Sequence, residues 1–347
     1  MAVRRQKSTG SVVREETAAV ESVAFDQTLR PRTLSEYVGQ TKLKGHLLIH
    51  IQAAKGRNEP LGHTLLHGPP GLGKTTLAHI VAREMGSQCR ITSGPVLEKP
   101  GDLASTLSNL QEGDVLFIDE VHRLRAPIEE MLYSAMEDCV LDLIIGKGPT
   151  ARSMRLPLKP FTLIGATTRS GAMSAPFRDR FLHSFKLGFY ELPEMQQIVE
   201  RSGKILGIDL DPMSAMRVAK SARATPRIAN RLVRAVRDFS QVRSAGPVTL
   251  ASVEATLLSL GIDDDGLDQV DRAMLTAIID SFQGGPVGLS TIAAILAEEE
   301  GTIEDVYEPY LIQQGYLQRT PKGRVASKRA YEKLGRNIPE SAQAAML

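Results

Sequence analysis

Gly68-Pro-Pro-Gly-Leu-Gly-Lys-Thr75 decides the fold, because it fits the phosphate-loop pattern G-x-x-x-x-G-K-[ST], with glycines where a backbone has to wrap an anion. Upstream, Leu65 and Leu66 form a short apolar run, and downstream Leu77, Ile80 and Val81 recur at helical spacing. The loop is therefore expected between a buried strand and a helix, with its N–H groups and the positive helix end turned towards phosphate. In that arrangement Lys74 supplies a point charge to the β- and γ-phosphates, and Thr75 supplies a hydroxyl ligand for Mg²⁺. A nucleoside triphosphate with Mg²⁺ is the expected ligand.

A second apolar run, Val115-Leu-Phe-Ile118, ends in Asp119-Glu120. This puts two carboxylates at the carboxyl end of a buried strand, the edge at which open α/β sheets bind ligands. Asp119 suits holding Mg²⁺ through water, and Glu120 suits orienting and polarising the attacking water. The run Phe161-Thr-Leu-Ile-Gly-Ala-Thr-Thr168 ends in hydroxyls, which makes Thr168 a candidate polar sensor of the γ-phosphate. Pro176-Phe-Arg-Asp-Arg-Phe181 carries Arg178 and Arg180. Either is a surface ion-pair residue or an arginine offered to a neighbouring subunit's γ-phosphate.

At 347 residues the chain has room for two or three cores, and 42% hydrophobic with 24% charged residues is ordinary for a globular protein. No apolar run approaches the ~18 residues that span a bilayer, and Met1-Ala-Val-Arg-Arg-Gln-Lys lacks the apolar centre of a secretory signal. A cytoplasmic location without a membrane role is expected. Cys89 and Cys139 have no C-x-x-C partner and read as small packing residues, while His46 and His50 read as helix-surface residues rather than metal ligands. The net charge of +2 names no polyanion, yet residues 221–243 hold six arginines against one aspartate, and residues 316–336 seven Lys/Arg against one glutamate. Each basic stretch is either a solvated face or a phosphate contact.

The chain divides by pattern. Residues 1–23 read as a polar mobile tail. Residues 24–188 alternate β-type runs (63–67, 87–92, 115–118 and 161–166) with helical patterns, which argues for a mostly parallel sheet covered by helices on both sides. Residues 189–262 read as helices, with Ile228, Leu232, Ala235 and Phe239 on one face, closed by Gly261 and the acidic Asp263-Asp-Asp-Gly266. Residues 263–338 are helical to about 314 and then form two short β-type runs around the turn Pro321-Lys-Gly323, with 339–347 as a second tail.

These motifs resemble AAA+ ATPases, and the chain is similar in particular to the RuvB family of Holliday-junction branch-migration motors. Leu29-Arg-Pro31 with Tyr37-Val-Gly-Gln40, Ile91-Thr-Ser-Gly-Pro95, Gly101-Asp-Leu103, Asp119-Glu-Val-His-Arg-Leu124, Ala135-Met-Glu-Asp138, Gly146-Lys-Gly148, Gly165-Ala-Thr-Thr-Arg169, Thr225-Pro-Arg-Ile-Ala-Asn230 and Tyr307-Glu-Pro-Tyr-Leu-Ile-Gln-Gln-Gly315 follow that family in order. The resemblance implies an α/β P-loop NTPase core, a small helical lid and a C-terminal winged-helix domain. It also implies assembly as a homohexameric ring around duplex DNA, which drives branch migration in recombination and repair. A RuvA-type junction-binding protein and a RuvC-type resolvase are the implied partners.

Carried over by residue, the resemblance puts Leu29, Arg30, Tyr37 and Val38 at the adenine, and Gly71, Gly73, Lys74, Thr75 and Thr76 at the phosphates. Asp119 and Glu120 become the Walker B pair, Thr168 the first sensor, Arg180 the finger acting across a subunit boundary and Arg227 the lid sensor. Tyr190, Glu137, Asp138 and Cys139 fall near the nucleotide. Residues 140–160 resemble the family's protruding hairpin, which docks on RuvA; Met154 and Leu156, two apart, share a strand face there. Arg319 and Arg324 flank the wing turn and are expected along a duplex backbone, on either side of the wing, indifferent to base sequence. The chain departs from the family at Ala224, where glycine is usual and a positive φ would be strained, and at Phe181-Leu-His183, which follows the finger. A protein-remodelling AAA+ ATPase and a clamp-loader or initiator-type DNA switch share this hydrolytic core. The first calls for an aromatic pore loop and the second for base-specific contacts, whereas a basic terminal turn suits a motor that tracks phosphates.

Overall fold

The computed structural model describes residues 28–145, 152–244 and 247–338. Both expected tails, 1–23 and 339–347, and the motif Gly146-Lys-Gly148 lie outside the described residues.

The strands follow the apolar runs: β1 is Thr64–His67, β2 Cys89–Ser93, β3 Val115–Asp119, β4 Val140–Ile145, β5 Arg152–Pro157, β6 Thr162–Thr167 and β7 His183–Lys186. Five of them form one sheet in the order β2-β3-β6-β1-β7, with every pairing parallel. All six residues of β6 are buried, as expected of a strand covered on both faces. Alternation divides the side chains between two cores. Leu66, Phe117 and Ile164 enter one, with Leu77, Ile80 and Val81 of the helix Lys74–Met85. Leu65, Leu116, Ile118 and Leu163 enter the other, with Leu132 and Phe177. The edge strand β7 was not legible as a run, because half-buried His183 and Phe185 alternate with exposed Ser184 and Lys186.

Strand order positions the chemistry. Since β6 lies between β1 and β3, the loop after β1, the carboxylates after β3 and the hydroxyls after β6 meet at neighbouring carboxyl ends.

Lid helices Leu192–Ile205, Pro212–Ser221, Pro226–Phe239 and Leu250–Ser259 extend the first core rather than forming their own. The buried face of Pro226–Phe239 is Ala229, Leu232, Val233 and Val236, which corrects the expected stripe of Ile228, Leu232, Ala235 and Phe239. The two stripes are neighbours on the helix and share Leu232. Ile228 instead faces a cavity of about 430 Å³ beside Pro70 and Gly71, so it stays half-buried. Ala224 keeps a positive φ of 52° despite its Cβ, and Arg223 before it has 51°. The left-handed pair costs on the order of 1 kcal/mol per residue and is held by Tyr190 N–H donating to the Ala224 carbonyl at 3.1 Å.

The C-terminal domain has a separate core of Leu275, Ile278, Tyr310, Leu311, Leu317 and Tyr331. Its wing is β8, Leu317–Thr320, against β9, Gly323–Ala326, joined at Pro321-Lys322 as the turn signal predicts. Buried Arg223 of the lid clasps Asp268 and Asp271 at the start of this domain. Among the described residues, no helix is long and apolar enough to cross a membrane.

Candidate active site

A cavity of about 250 Å³ opens at the carboxyl end of the sheet, lined by Arg30, Gly71, Gly73, Lys74, Thr75, Thr76, Asp119, Glu120, Thr168, Arg227 and Asn230. The local sequence builds it. Gly68 has φ 143°, and a Cβ there would lie 2.4 Å from the Leu187 carbonyl oxygen; Gly73 has φ 99°, and a Cβ there would strike the Tyr37 hydroxyl at 2.7 Å. Only glycine fits either position. With Gly73 as N-cap, the helix Lys74–Met85 receives no side-chain cap, so its first N–H groups remain open to an anion.

Behind the loop, the Tyr37 hydroxyl donates to the Leu72 carbonyl at 3.0 Å, and the single proton of the Tyr190 hydroxyl is shared between the Tyr37 oxygen at 2.9 Å and the same carbonyl at 3.1 Å. Burial pushes the Tyr190 phenol up to about 12, and that of Tyr37 well above its usual value, so both keep the proton they donate. As placed, Leu29 and Tyr37 are buried and Val38 half-buried, and none of the three lines the cavity; Arg30 does.

Lys74 is 7% exposed and donates to the carbonyls of Gly68 at 2.7 Å and Pro69 at 2.8 Å. Desolvation lowers its pKa to about 8, Asp119 and Glu120 oppose that shift, and Arg227 reinforces it. Asp119 accepts the Glu120 N–H at 3.0 Å, and Glu120 stands in the left-handed region at φ 50°. The buried Thr168 Oγ1 has no hydrogen-bond partner among the described residues, which marks a polar group open to a ligand. Arg227 reaches the loop from the lid through its N–H on the Gly71 carbonyl at 3.3 Å. A cation, two carboxylates, an unsatisfied hydroxyl and open helix N–H groups thus converge on one cavity, which suits a nucleotide triphosphate. The hydroxyl of Thr75 and the carboxylate of Asp119 are hard oxygen donors of the kind Mg²⁺ takes.

The model of the Holliday junction DNA helicase RuvB P-loop domain matches residues 29–187, the RuvB AAA lid domain residues 190–263, and the RuvB C-terminal winged helix domain residues 264–335. The chain belongs to the RuvB family. Among solved structures, the Thermotoga maritima RuvB Holliday junction branch migration motor is 46% identical with a TM-score of 0.82, covering 90% of this chain and 100% of that one. Two mutants of that protein are each 47% identical, with TM-scores of 0.83 and 0.84, covering 90% of this chain and 99% of theirs. Membership sets aside the protein-remodelling and clamp-loader readings and implies that the chain binds a nucleotide.

The RuvB-family reading also groups residues that the fold keeps away from the cradle. Arg180 is not in the cavity: its Nη1 donates to the Pro176 carbonyl at 2.7 Å, its guanidinium lies 4.2 Å from the Tyr133 ring centre, and its Nε is 3.2 Å from Glu137 Oε1 but out of line for a hydrogen bond. Glu137, in the last turn of the helix Ala126–Asp138, pairs with Arg180, and neither it nor Asp138 and Cys139 lines the cavity at this chain's own phosphate loop. Arg178 is exposed on the same segment.

On the β4–β5 hairpin, Met154 is exposed, but Leu156 sits opposite fully buried Leu141 and packs against the ATPase core. The expected exposed pair is therefore one exposed residue and one anchoring residue. The wing also departs from expectation. Arg319 and Arg324 flank the turn on its two strands, as expected, but they are directly opposite across β8 and β9 and so share one face instead of lying on either side of the wing. Arg319 is exposed and pairs with Glu304 at 2.8 Å, whereas Arg324 is 8% exposed and tied to buried Glu308 at 2.5 and 3.2 Å. Sequence reasoning gave no role to His122, Arg169, Glu304 or Asp305. The only signal was that His122 and Arg169 lie inside the two motifs that supply Glu120 and Thr168.

Proposed function

We infer that this chain hydrolyses ATP in the cradle between its ATPase and lid domains, as the motor subunit that drives Holliday-junction branch migration. The observation that carries the reading is the unsatisfied Thr168 hydroxyl converging with Lys74, Glu120 and Arg227 on one cavity. We assign Gly71, Gly73, Lys74, Thr75 and Thr76 to the phosphates, Thr168 and Arg227 to sensing the γ-phosphate, and Glu120 to orienting the attacking water. Mg²⁺, held by Thr75 and Asp119, would neutralise charge on the β- and γ-phosphates. The base side falls to the arm carrying Leu29, Arg30, Tyr37 and Val38, with Tyr190, because both tyrosines already touch Leu72 of the loop.

Arg180 completes the neighbouring subunit's site, together with the segment Glu137–Cys139, in a homohexameric ring. The support is its distance from its own cradle. Exposed Met154 meets a RuvA-type partner, with a RuvC-type resolvase in the same complex. Arg319 tracks duplex phosphates without reading bases, and Arg324 joins it only by exchanging Glu308 for phosphate. A cytoplasmic location fits work on DNA.

The test is dissociation of a synthetic four-way junction by the chain with a RuvA-type partner. ATP-dependent dissociation that vanishes in Glu120→Gln is expected. Absence of dissociation with the unaltered chain and partner, or dissociation that survives Glu120→Gln, would sink the reading.

A further inference from the structure

A run of contacts joins the hydrolytic carboxylate to the winged-helix domain. Thr167, the last residue of β6, is fully buried, and its Oγ1 meets two groups: the Arg169 N–H donates to it at 2.9 Å, and His122 Nδ1 lies at 2.8 Å. A buried hydroxyl proton needs an acceptor, and Nδ1 is the one offered. A neutral His122 then carries its own proton on Nε2, which faces Glu120 Oε2 at 3.4 Å. Burial holds the His122 pKa below its usual value, opposed by Glu120 and Asp305 and assisted by Arg169 and Arg123, so the neutral tautomer prevails at pH 7.

The Arg169 side chain leaves in the other direction. Its Nε donates to Asp305 at 3.1 Å, and its Nη2 lies 3.1 Å from both Glu304 and Asp305. Glu304 in turn holds Arg319 of the wing at 2.8 Å. Thr168, which lines the phosphate cavity, sits between Thr167 and Arg169 and is bounded by both anchors.

We propose that His122 positions Glu120, and that Arg169, joining Thr167 to Glu304 and Asp305, makes this positioning depend on the pose of the winged-helix domain. The inference rests on the assignment of Glu120 to the attacking water. A winged-helix domain drawn onto DNA moves Asp305, Arg169 follows, and the N–H that organises Thr167 moves with it. The hydroxyl that fixes the His122 tautomer is then re-aimed, and with it the group that orients the Glu120 carboxylate. His122 touches neither phosphate nor water in this scheme; it is a positioning residue.

His122→Ala should lower kcat for ATP by about tenfold or more, with KM and nucleotide affinity within about twofold. His122→Gln should restore most of the rate, because its amide can both accept from Thr167 and donate to Glu120. On the winged-helix side, Arg169→Gln and Asp305→Asn should each reduce the ratio of ATPase rates with and without duplex DNA. The double variant should be no lower than the worse single one, as for two residues acting through each other. Normal kcat in His122→Ala beside a dead Glu120→Gln overturns the inference alone. Hydrolysis surviving Glu120→Gln overturns the assignment beneath it. Strictly additive losses in the Arg169 and Asp305 cycle remove the link to the winged helix.

Discussion

The cradle and the finger face treat their cations in opposite ways. Lys74 is buried among backbone carbonyls with no carboxylate salt bridge, whereas Arg180 rests on Tyr133 beside Glu137. Desolvation without a salt bridge leaves Lys74 ready for phosphate, since the incoming anion supplies the countercharge that the chain withholds. Arg180 by contrast already has a carboxylate beside it, and in the proposed ring a neighbouring subunit's phosphate would have to displace that contact. The wing repeats the second pattern, with Arg319 on Glu304 and Arg324 on Glu308. The cradle thus leaves its buried cation to backbone carbonyls, while the arginines of the finger and the wing rest against carboxylates.

The contrast breaks most visibly at Arg180. Arg180→Ala rings should lose about 10³-fold in hydrolysis, and mixing them with Lys74→Ala subunits should restore part of it, because some interfaces then pair an intact loop with an intact finger. No recovery in verified mixed rings would return Arg180 to a local ion-pair role. Within the cradle, Lys74→Ala should lose nucleotide binding. Glu120→Gln should keep it while hydrolysis falls by about 10²-fold or more; equal loss of binding in equilibrium titrations would deny the two residues separate roles.

At the wing, Arg324→Ala leaves Glu308 buried without its partner and should cost about 3 kcal/mol of stability in thermal unfolding. Arg319→Ala should leave stability unchanged and flatten the dependence of log K on log[salt] for duplex binding by about 0.9. Equal unfolding temperatures for the two variants would contradict the difference in burial. The smallest effect concerns pH. With its pKa near 8 in the free protein, Lys74 is charged below pH 8, and bound phosphate favours that charged form. Nucleotide affinity should therefore hold steady below pH 8 and weaken about tenfold by pH 9, while Lys74→Arg, charged throughout, should show no such decline. A flat profile in the unaltered chain would mean that desolvation does not govern this lysine.

Much of the site was legible because its groups lie next to the elements that aim them. Lys74 follows its glycine turn directly, Asp119 and Glu120 end a run of apolar residues, and Thr168 ends another. The wing hairpin was legible from Pro321-Lys-Gly323 for the same reason. Legibility failed where a residue's surroundings come from distant sequence. Leu156 looks free beside Met154 until Leu141 and the ATPase core cover it, and Arg324 looks like Arg319 until Glu308 is folded against it.

The sequence by itself determined the phosphate loop, the carboxylate pair, the parallel α/β core, the helical lid and the basic wing, because backbone conformation and hydrophobic period are local properties. Tertiary structure alone decided which helix face the lid buries, that Ala224 stays left-handed, that Arg319 and Arg324 share a face of the wing, and that His122 and Arg169 lie between Glu120 and the winged helix. Each of these depends on strand order and on charges brought together from remote segments. A carboxylate's effect on an arginine falls off over a few ångströms, and only the folded chain sets that separation.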